Sequence, residues 1–199
     1  VVCVLKGPNG QNGVRLAIDY RHVNKFSAGD GFPTPDISDV LQKVGRAKYI
    51  SCFDAKSGYW QIPVKKDCRW LTAFVCDAGL FEFQRMPFGL KSSGNNFMRC
   101  MSKVLHPIRS FTETFVDDMA VLSMTWSEHL EHLEKFLQTI KDSGLTLNLK
   151  KSSLAQGKVP FLGHVVGSGQ IEPDPVKIAT VSSLQPPTTK KEVRRLIGF

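Results

Sequence analysis

The chain has 199 residues, 42% of them hydrophobic, which is enough for a core and fits one large domain or two small ones. No apolar run approaches the roughly 18 residues of a membrane span, and the five cysteines form no CxxC pair, so a membrane protein, a zinc scaffold and a disulfide framework are all disfavoured. Lys and Arg number 26 against 18 Asp and Glu, a formal net charge of +8, which suits a polyanionic partner such as nucleic acid and, on charge alone, equally a basic but unspecialised surface.

The basic residues are spread along the chain, as expected for a groove lined by many elements. Sparse, unpaired cysteines suit reduced thiols in a cytosolic setting. The start, "VVCVLKGPNG", has no initiator Met and no signal-peptide pattern, and the end, "EVRRLIGF", stops inside an apolar period. A piece of a longer polypeptide is therefore expected. There is no internal repeat and no low-complexity tract.

In chain order, "VVCVLKGPNGQNGVRLAIDY" reads as strand, turn, strand, with β-branched residues flanking a Gly- and Asn-rich middle. In "GFPTPDISDVLQKVG", Asp36 or Ser38 caps a helix carrying Ile37, Val40, Leu41 and Val44 on one face. "AKYISCFDA" is a short buried strand ending at Asp54. "GYWQIPV" reads as a strand, and "WLTAFVCDAGLFEFQRMPFG" as strands with a hairpin around Asp77 to Gly79.

"SSGNNFMRCMSKVLHPI" has Phe97, Met98, Met101, Val104 and Leu105 at helical spacing, with Pro107 as a stop. "FTETFVDDMAVLS" follows as a hairpin. "WSEHLEHLEKFLQTIKDSG" predicts a long helix whose apolar stripe is Trp126, Leu130, Leu133, Phe136, Leu137 and Ile140, closed by Gly144. "LTLNLKK" and "VPFLGHVVG" read as strands. Asp174 and Pro175 open a further helix, and Thr189 with Glu192 has capping-box spacing. Strands and helices interleave without a regular repeat and without a Gly-rich phosphate loop, which predicts an α+β fold.

Asp117 and Asp118 stand side by side in an apolar strand pattern. An isolated acidic pair ordinarily marks a turn, where Asp bonds the local backbone. Here apolar strands flank it on both sides, so the pair falls at the tip of a buried hairpin, where two like charges need compensation. Oxygen-only ligands select hard cations, and Mg²⁺ is held by one or two carboxylates plus substrate phosphates. Asp54, at the end of its own apolar strand, is the candidate third carboxylate of a two-ion site. Such a site activates an attacking hydroxyl and neutralises a leaving phosphate. His129 and His132 form HxxH on a helix, but no other Cys or His lies nearby in sequence, a structural zinc needs four ligands and the apolar stripe explains the helix, so a zinc site is not expected.

Beyond these single features, the chain resembles the reverse transcriptase domain of gypsy-type LTR retrotransposon Pol polyproteins. The resemblance rests on "RLAIDYRHVN", "FPTPDISDVLQKVGRAKYISCFDAKSGYWQIPV", "TAF", "FEFQRMPFGL", "FVDD", "HLEHLEKFLQTIKDSGLTLNLKK", "FLGH" and "PDPVKIATV" in that order, nearly end to end. "PPTTKKEVRRLIGF" resembles the start of the region beyond the polymerase core. The resemblance implies a right-hand polymerase with an antiparallel palm sheet backed by helices. The reverse transcriptase domain would span 1–166, with fingers at 1–29 and 62–92 and palm at 30–61 and 93–166. Only the beginning of a thumb or connecting region would follow, at 167–199.

The implied activity is RNA- and DNA-templated DNA synthesis from dNTPs onto a primer 3′-hydroxyl. Asp54, Asp117 and Asp118 match the family's metal-binding catalytic triad, which takes two Mg²⁺ ions or Mn²⁺ in substitution. Arg15, Lys6, Ala55, Tyr59, Phe88 and Gly89 match its nucleotide pocket, with Tyr59 as the ring that excludes a ribose 2′-hydroxyl. Phe115 and the "FLGH" residues Phe161, Leu162, Gly163 and His164 match its primer contacts. The resemblance further implies flanking protease, RNase H and integrase segments. It places the parent in the cytoplasm, within the element's virus-like particle, or in the nucleus.

Three positions depart from the family pattern. Phe115 replaces a Tyr, which removes a hydroxyl but keeps the ring. "KSSGNNF" replaces a Pro-containing turn, so Gly94 loosens a helix start, and Ser152 replaces a Cys. None is a carboxylate. The rival expectation is a catalytically inactive, nucleic-acid-binding remnant of a decayed or co-opted element.

Overall fold

A computed structural model describes residues 2–5, 13–182 and 186–197. The chain opens with an antiparallel hairpin of β1 (Val2–Leu5) and β2 (Val14–Ala17), whose connecting turn lies outside the described residues. Two helices follow, α1 (Arg21–Phe26) and α2 (Ile37–Arg46), and then β3 (Tyr49–Asp54). A small hairpin of β4 (Phe74–Cys76) and β5 (Gly79–Phe81) precedes α3 (Ser93–Leu105). Next come β6 (Thr112–Phe115), β7 (Asp118–Ser123), α4 (Trp126–Ser143) and β8 (Ser153–Gln156). The chain continues through β9 (Val159–Phe161), β10 (His164–Gly167) and β11 (Gln170–Pro173) to α5 (Pro175–Ser182) and α6 (Lys190–Ile197).

A four-stranded antiparallel sheet in the order β6-β7-β3-β8 forms the centre, and β11-β10-β9 makes a second, three-stranded one. Alternation along the central strands assigns their two faces. Phe53 of β3 with Met119 and Val121 of β7 packs against Phe97, Met101 and Leu105 of α3 and Phe136 and Ile140 of α4. Ile50 of β3 and Ala120 of β7 point the other way, into a core with Val40, Leu41 and Val44 of α2 and Val159, Phe161 and Val166 of the β9–β10 hairpin. The fold is α+β, as the element order predicts.

The helix caps follow local chemistry. The Asp36 carboxylate accepts from the Ser38 N–H at 2.7 Å to start α2. Thr125 and Glu128 form a reciprocal capping box at the start of α4, and Gly144 ends it in the left-handed region at φ 73°. Thr189 and Glu192 make the expected box before α6.

Three sequence expectations are corrected. "GYWQIPV" is not a strand: residues 58–61 form a tight 3-10 turn, entered through Ser57 at φ 53°, and only Pro63 bridges to Arg85. "WLT" closes another 3-10 turn, Lys66–Thr72. In "LTLNLKK" a single bridge, Ala55 to Leu147, is followed by a 3-10 turn at Leu149–Lys151. The α4 stripe holds in part: Phe136 and Ile140 are buried and Leu133 packs beside them, while Trp126, Leu130 and Leu137 are about half exposed and His129 is buried.

His129 is fully buried, and both ring nitrogens are engaged: Nε2 with Ser51 Oγ and Nδ1 with Ser123 Oγ, each at 2.8 Å. Ser123 Oγ also meets His132 Nδ1, and the His132 ring stacks on Phe111 at 3.9 Å. The HxxH pair is thus a polar rivet between α4 and the central sheet. Burial first, then the neighbouring His132 charge, holds the His129 pKa below its ordinary value. The folded state therefore prefers the neutral ring, whereas an unfolded His titrates near pH 6.5. Stability is then complete above about pH 6.5 and is lost as the pH falls below it toward the folded pKa. Melting temperature is expected to decline more steeply in the wild type than in His129→Gln below about pH 6.5; equal slopes would uncouple this ring from folding.

Candidate active site

The register of β3 and β7 places Asp54 directly opposite Asp118. Residues facing each other across an antiparallel pair share a face, and like charges there destabilise the sheet. By the same alternation both lie on the side of Cys52 and Ala120, away from α3 and α4. Asp117 occupies the two-residue turn between β6 and β7, next to Val116 at φ 56°. A β-branched residue rarely adopts that conformation, so the turn is held in a strained geometry by the strands on either side. Asp117 is exposed, and Asp54 and Asp118 are half-buried.

The Asp118 carboxyl is raised above the usual carboxylate range, by burial first, then by the charges of Asp117 and Asp54. Lys151 opposes this shift, and its Nζ stands 3.5 Å from Asp54 Oδ2. The Asn148 side-chain amide reaches the same Oδ2 at 3.4 Å, and its backbone N–H donates to the Asp54 carbonyl at 2.8 Å. Among the described residues, no three His, Cys, Asp or Glu side chains already stand as a metal-holding group. The donor set itself suits a hard cation: three carboxylates whose mutual repulsion a divalent ion relieves. Burial, then Asp118, pushes the Cys52 thiol up to about 12, so it offers no thiolate here.

A cleft of about 210 Å³ joins Asp54, Asp118 and Lys151 to Phe161, Leu162 and Gly163. The last two form the β9–β10 turn, at φ 48° and 74°, the conformation of a two-residue hairpin loop. Phe161 is buried in the α2 core, so this part of the cleft is offered by Leu162 and Gly163. His164 Nδ1 lies 3.1 Å from the Leu162 carbonyl. Phe115 closes the other turn, paired with Asp118.

Tyr59 sits on the 58–61 turn against Phe88 and Phe97, with ring centroids 5.0 and 5.5 Å away. Its hydroxyl pKa is raised by burial and then by the Asp117 charge. Gly58 is required there, because a Cβ would stand 2.8 Å from the Phe97 ring. Gly89 follows Phe88 at φ 93°, and its carbonyl accepts from Asn24 Nδ2 at 2.8 Å. Ala55 is buried in the core with Phe53 and Phe97. Arg15 stands on β2 opposite Val4, and Lys6 lies outside the described residues. Asn148 and Lys151, both at Asp54, were not singled out from sequence; a polar loop residue carries no periodicity that would mark it.

A larger cavity, about 850 Å³, lies between α1, the 66–72 turn and α3. Its walls are mostly apolar and carry no carboxylate, so volume does not mark the chemistry here.

An antiparallel sheet backed by helices, with carboxylates facing each other across its central strands, is the palm of a right-hand nucleic-acid polymerase. The profile of the family "Reverse transcriptase (RNA-dependent DNA polymerase)" matches residues 5–166, and the chain belongs to that family. It is 33% identical over 192 residues to the Retrovirus-related Pol polyprotein from transposon 297 of Drosophila melanogaster, covering 96% of this chain and 18% of that protein. It is 35% identical to the polyprotein from transposon opus of the same fly, covering 96% and 19%, and 33% identical to an enzymatic polyprotein of Cauliflower mosaic virus (strain NY8153), covering 96% and 28%. The chain therefore spans under a third of each of these relatives. Among solved structures, the foamy viral protease–reverse transcriptase with double-stranded DNA superposes with a TM-score of 0.89 at 31% identity, over 98% of this chain and 34% of that one. The same viral protein with an RNA/DNA hybrid gives 0.85 at 30% identity, over 93% and 25%.

Proposed function

We propose that this chain is the fingers and palm of a gypsy-type retrotransposon reverse transcriptase, extending a primer 3′-hydroxyl with dNTPs on RNA or DNA templates. The observation that carries the reading is the Asp54–Asp118 register with Asp117 in the adjoining turn. Asp54, Asp117 and Asp118 would hold two Mg²⁺ ions, or Mn²⁺ in their place. When bound, such ions neutralise phosphate charge and lower the pKa of the attacking hydroxyl. The chain's own task is positioning, which is most of phosphoryl-transfer catalysis.

Tyr59, braced by Phe88 and Phe97, would present a flat ring to the nucleotide sugar. Gly89 allows backbone approach to the nucleotide, and Leu162 and Gly163 steady the primer end across the cleft. Arg15 and Lys6 complete the triphosphate contacts. Fingers at 1–29 and 62–92, palm at 30–61 and 93–166, and a thumb begun at 167–199 are the corresponding division. The parent polyprotein would carry protease, RNase H and integrase segments and act in a cytoplasmic particle or the nucleus.

The test is primer extension by the full-length polypeptide on an RNA template with Mg²⁺. Incorporation of dNTPs is expected, and Tyr59→Ala is expected to admit ribonucleotides at least about tenfold better, because the clash with the 2′-hydroxyl is removed. Unchanged sugar selectivity refutes the role of Tyr59. Nucleic-acid binding without incorporation would favour the inactive remnant.

A further inference from the structure

The segment that carries Tyr59 begins at Asp54 and ends at Gln61, and it is tied at both ends to one loop. At the first end the Asn148 N–H donates to the Asp54 carbonyl at 2.8 Å, and Ala55 bridges Leu147. At the second end the tie is a side chain. Gln61 Nε2 donates to the Lys56 carbonyl at 2.7 Å and to the Thr146 carbonyl at 2.9 Å, and Gln61 Oε1 accepts from the Thr146 N–H at 2.7 Å. The amide thus pairs with Thr146 as a strand residue would, using both its N–H groups and its oxygen. Only one amide orientation satisfies this set, since the flipped form would aim Oε1 at two carbonyls. The Lys56 N–H meets the same Thr146 carbonyl at 2.9 Å, and Arg85 donates to the Gln61 carbonyl at 2.9 Å.

Between these anchors the backbone is unusual. Ser57 takes φ 53°, and Gly58 is pressed against Phe97 with no room for a Cβ. Such a turn is over-determined by its surroundings rather than by its own propensity. Phe97 fixes one side and the 145–148 loop fixes the other, through Gln61. We propose that Gln61 is a positioning residue that sets where the Tyr59 ring stands against Phe88 and Phe97, and thereby sugar discrimination. The inference rests on the polymerase reading above and adds to it a residue that never touches substrate.

The experiment compares wild type with Gln61→Met, which keeps the length and loses all three bonds, and Gln61→Glu, which keeps only the acceptor. Single-nucleotide insertion of dNTP and the matching rNTP is measured in the full-length polypeptide. The ratio of the two kcat/KM values cancels any difference in the folded fraction, so simple destabilisation does not move it. Both variants are expected to lose discrimination by about tenfold, through a raised dNTP KM with kcat less affected, since small misplacements are costly at such sites. A wild type that incorporates, with the ratio unchanged in both variants, overturns the role of Gln61. A wild type that incorporates nothing overturns the polymerase reading, and the role of Gln61 falls with it.

Discussion

Asp118→Asn is expected to abolish templated incorporation, by about 10³-fold or more, while raising the melting temperature of the metal-free protein at neutral pH. The activity loss follows from removing one of three ligands for ions whose charge stabilisation is worth several kcal/mol, each 1.36 kcal/mol being about tenfold in rate. The stability gain follows from electrostatics. Burial and the facing charges of Asp117 and Asp54 raise the Asp118 pKa. A group whose folded pKa is raised binds its proton better in the folded state. Its contribution is full below the unfolded pKa and is lost as the pH rises through the folded value. At neutral pH the wild type carries this penalty and the neutral amide does not. In acid, below the ordinary Asp range near ~3.9, the two should converge. Melting in EDTA at both pH values, beside primer extension with Mg²⁺, reads both effects. A variant that melts lower than wild type at neutral pH would show that the carboxylate is not strained in the fold.

Much of this arrangement was legible in the sequence, and the exceptions are physical. The hairpin around Asp117 was readable because apolar residues flank it on both sides. The start of α2 was readable because Asp36 precedes an apolar period and caps it in fact. That Asp54 faces Asp118 was not readable from spacing, because strand register is set by the whole sheet. Tyr59, Trp60 and Ile62 favour a strand, yet contact with Phe97 and the positive φ of Ser57 override that preference and make 58–61 a turn. Asn148, Lys151 and Gln61 escaped notice because their partners lie far away in sequence. In α4 the length and half of the stripe hold: Leu133, Phe136 and Ile140 pack into the core, whereas Trp126, Leu130 and Leu137 lie at its edge. His129 joins the buried side because two serine hydroxyls satisfy both of its ring nitrogens.

The stripe yields a sharp contrast between two neighbours. Phe136 is fully buried, and its ring stacks on Phe53 at 4.7 Å, one residue before Asp54. Leu137 belongs to the stripe read from sequence but is 47% exposed. Phe136→Ala deletes a ring from the sheet–helix core and leaves a cavity, which costs about 3–5 kcal/mol. Against a total stability of about 5–15 kcal/mol, that brings the domain close to unfolding. Leu137→Ala removes side-chain area that is already half in water, so a loss of about 1 kcal/mol or less is expected. Urea unfolding separates the cases: the midpoint should fall steeply for the first variant and little for the second, with the slope against denaturant unchanged in both. Equal midpoints would mean that Leu137 carries as much of the core as Phe136. Because Phe53 precedes Asp54 on β3, the Phe136 cavity also loosens the strand end that carries the carboxylate. Any Phe136→Ala protein that stays folded should therefore lose incorporation in larger proportion than its folded fraction, and an activity that tracks the folded fraction would show the Asp54 end of β3 to be held independently of this core.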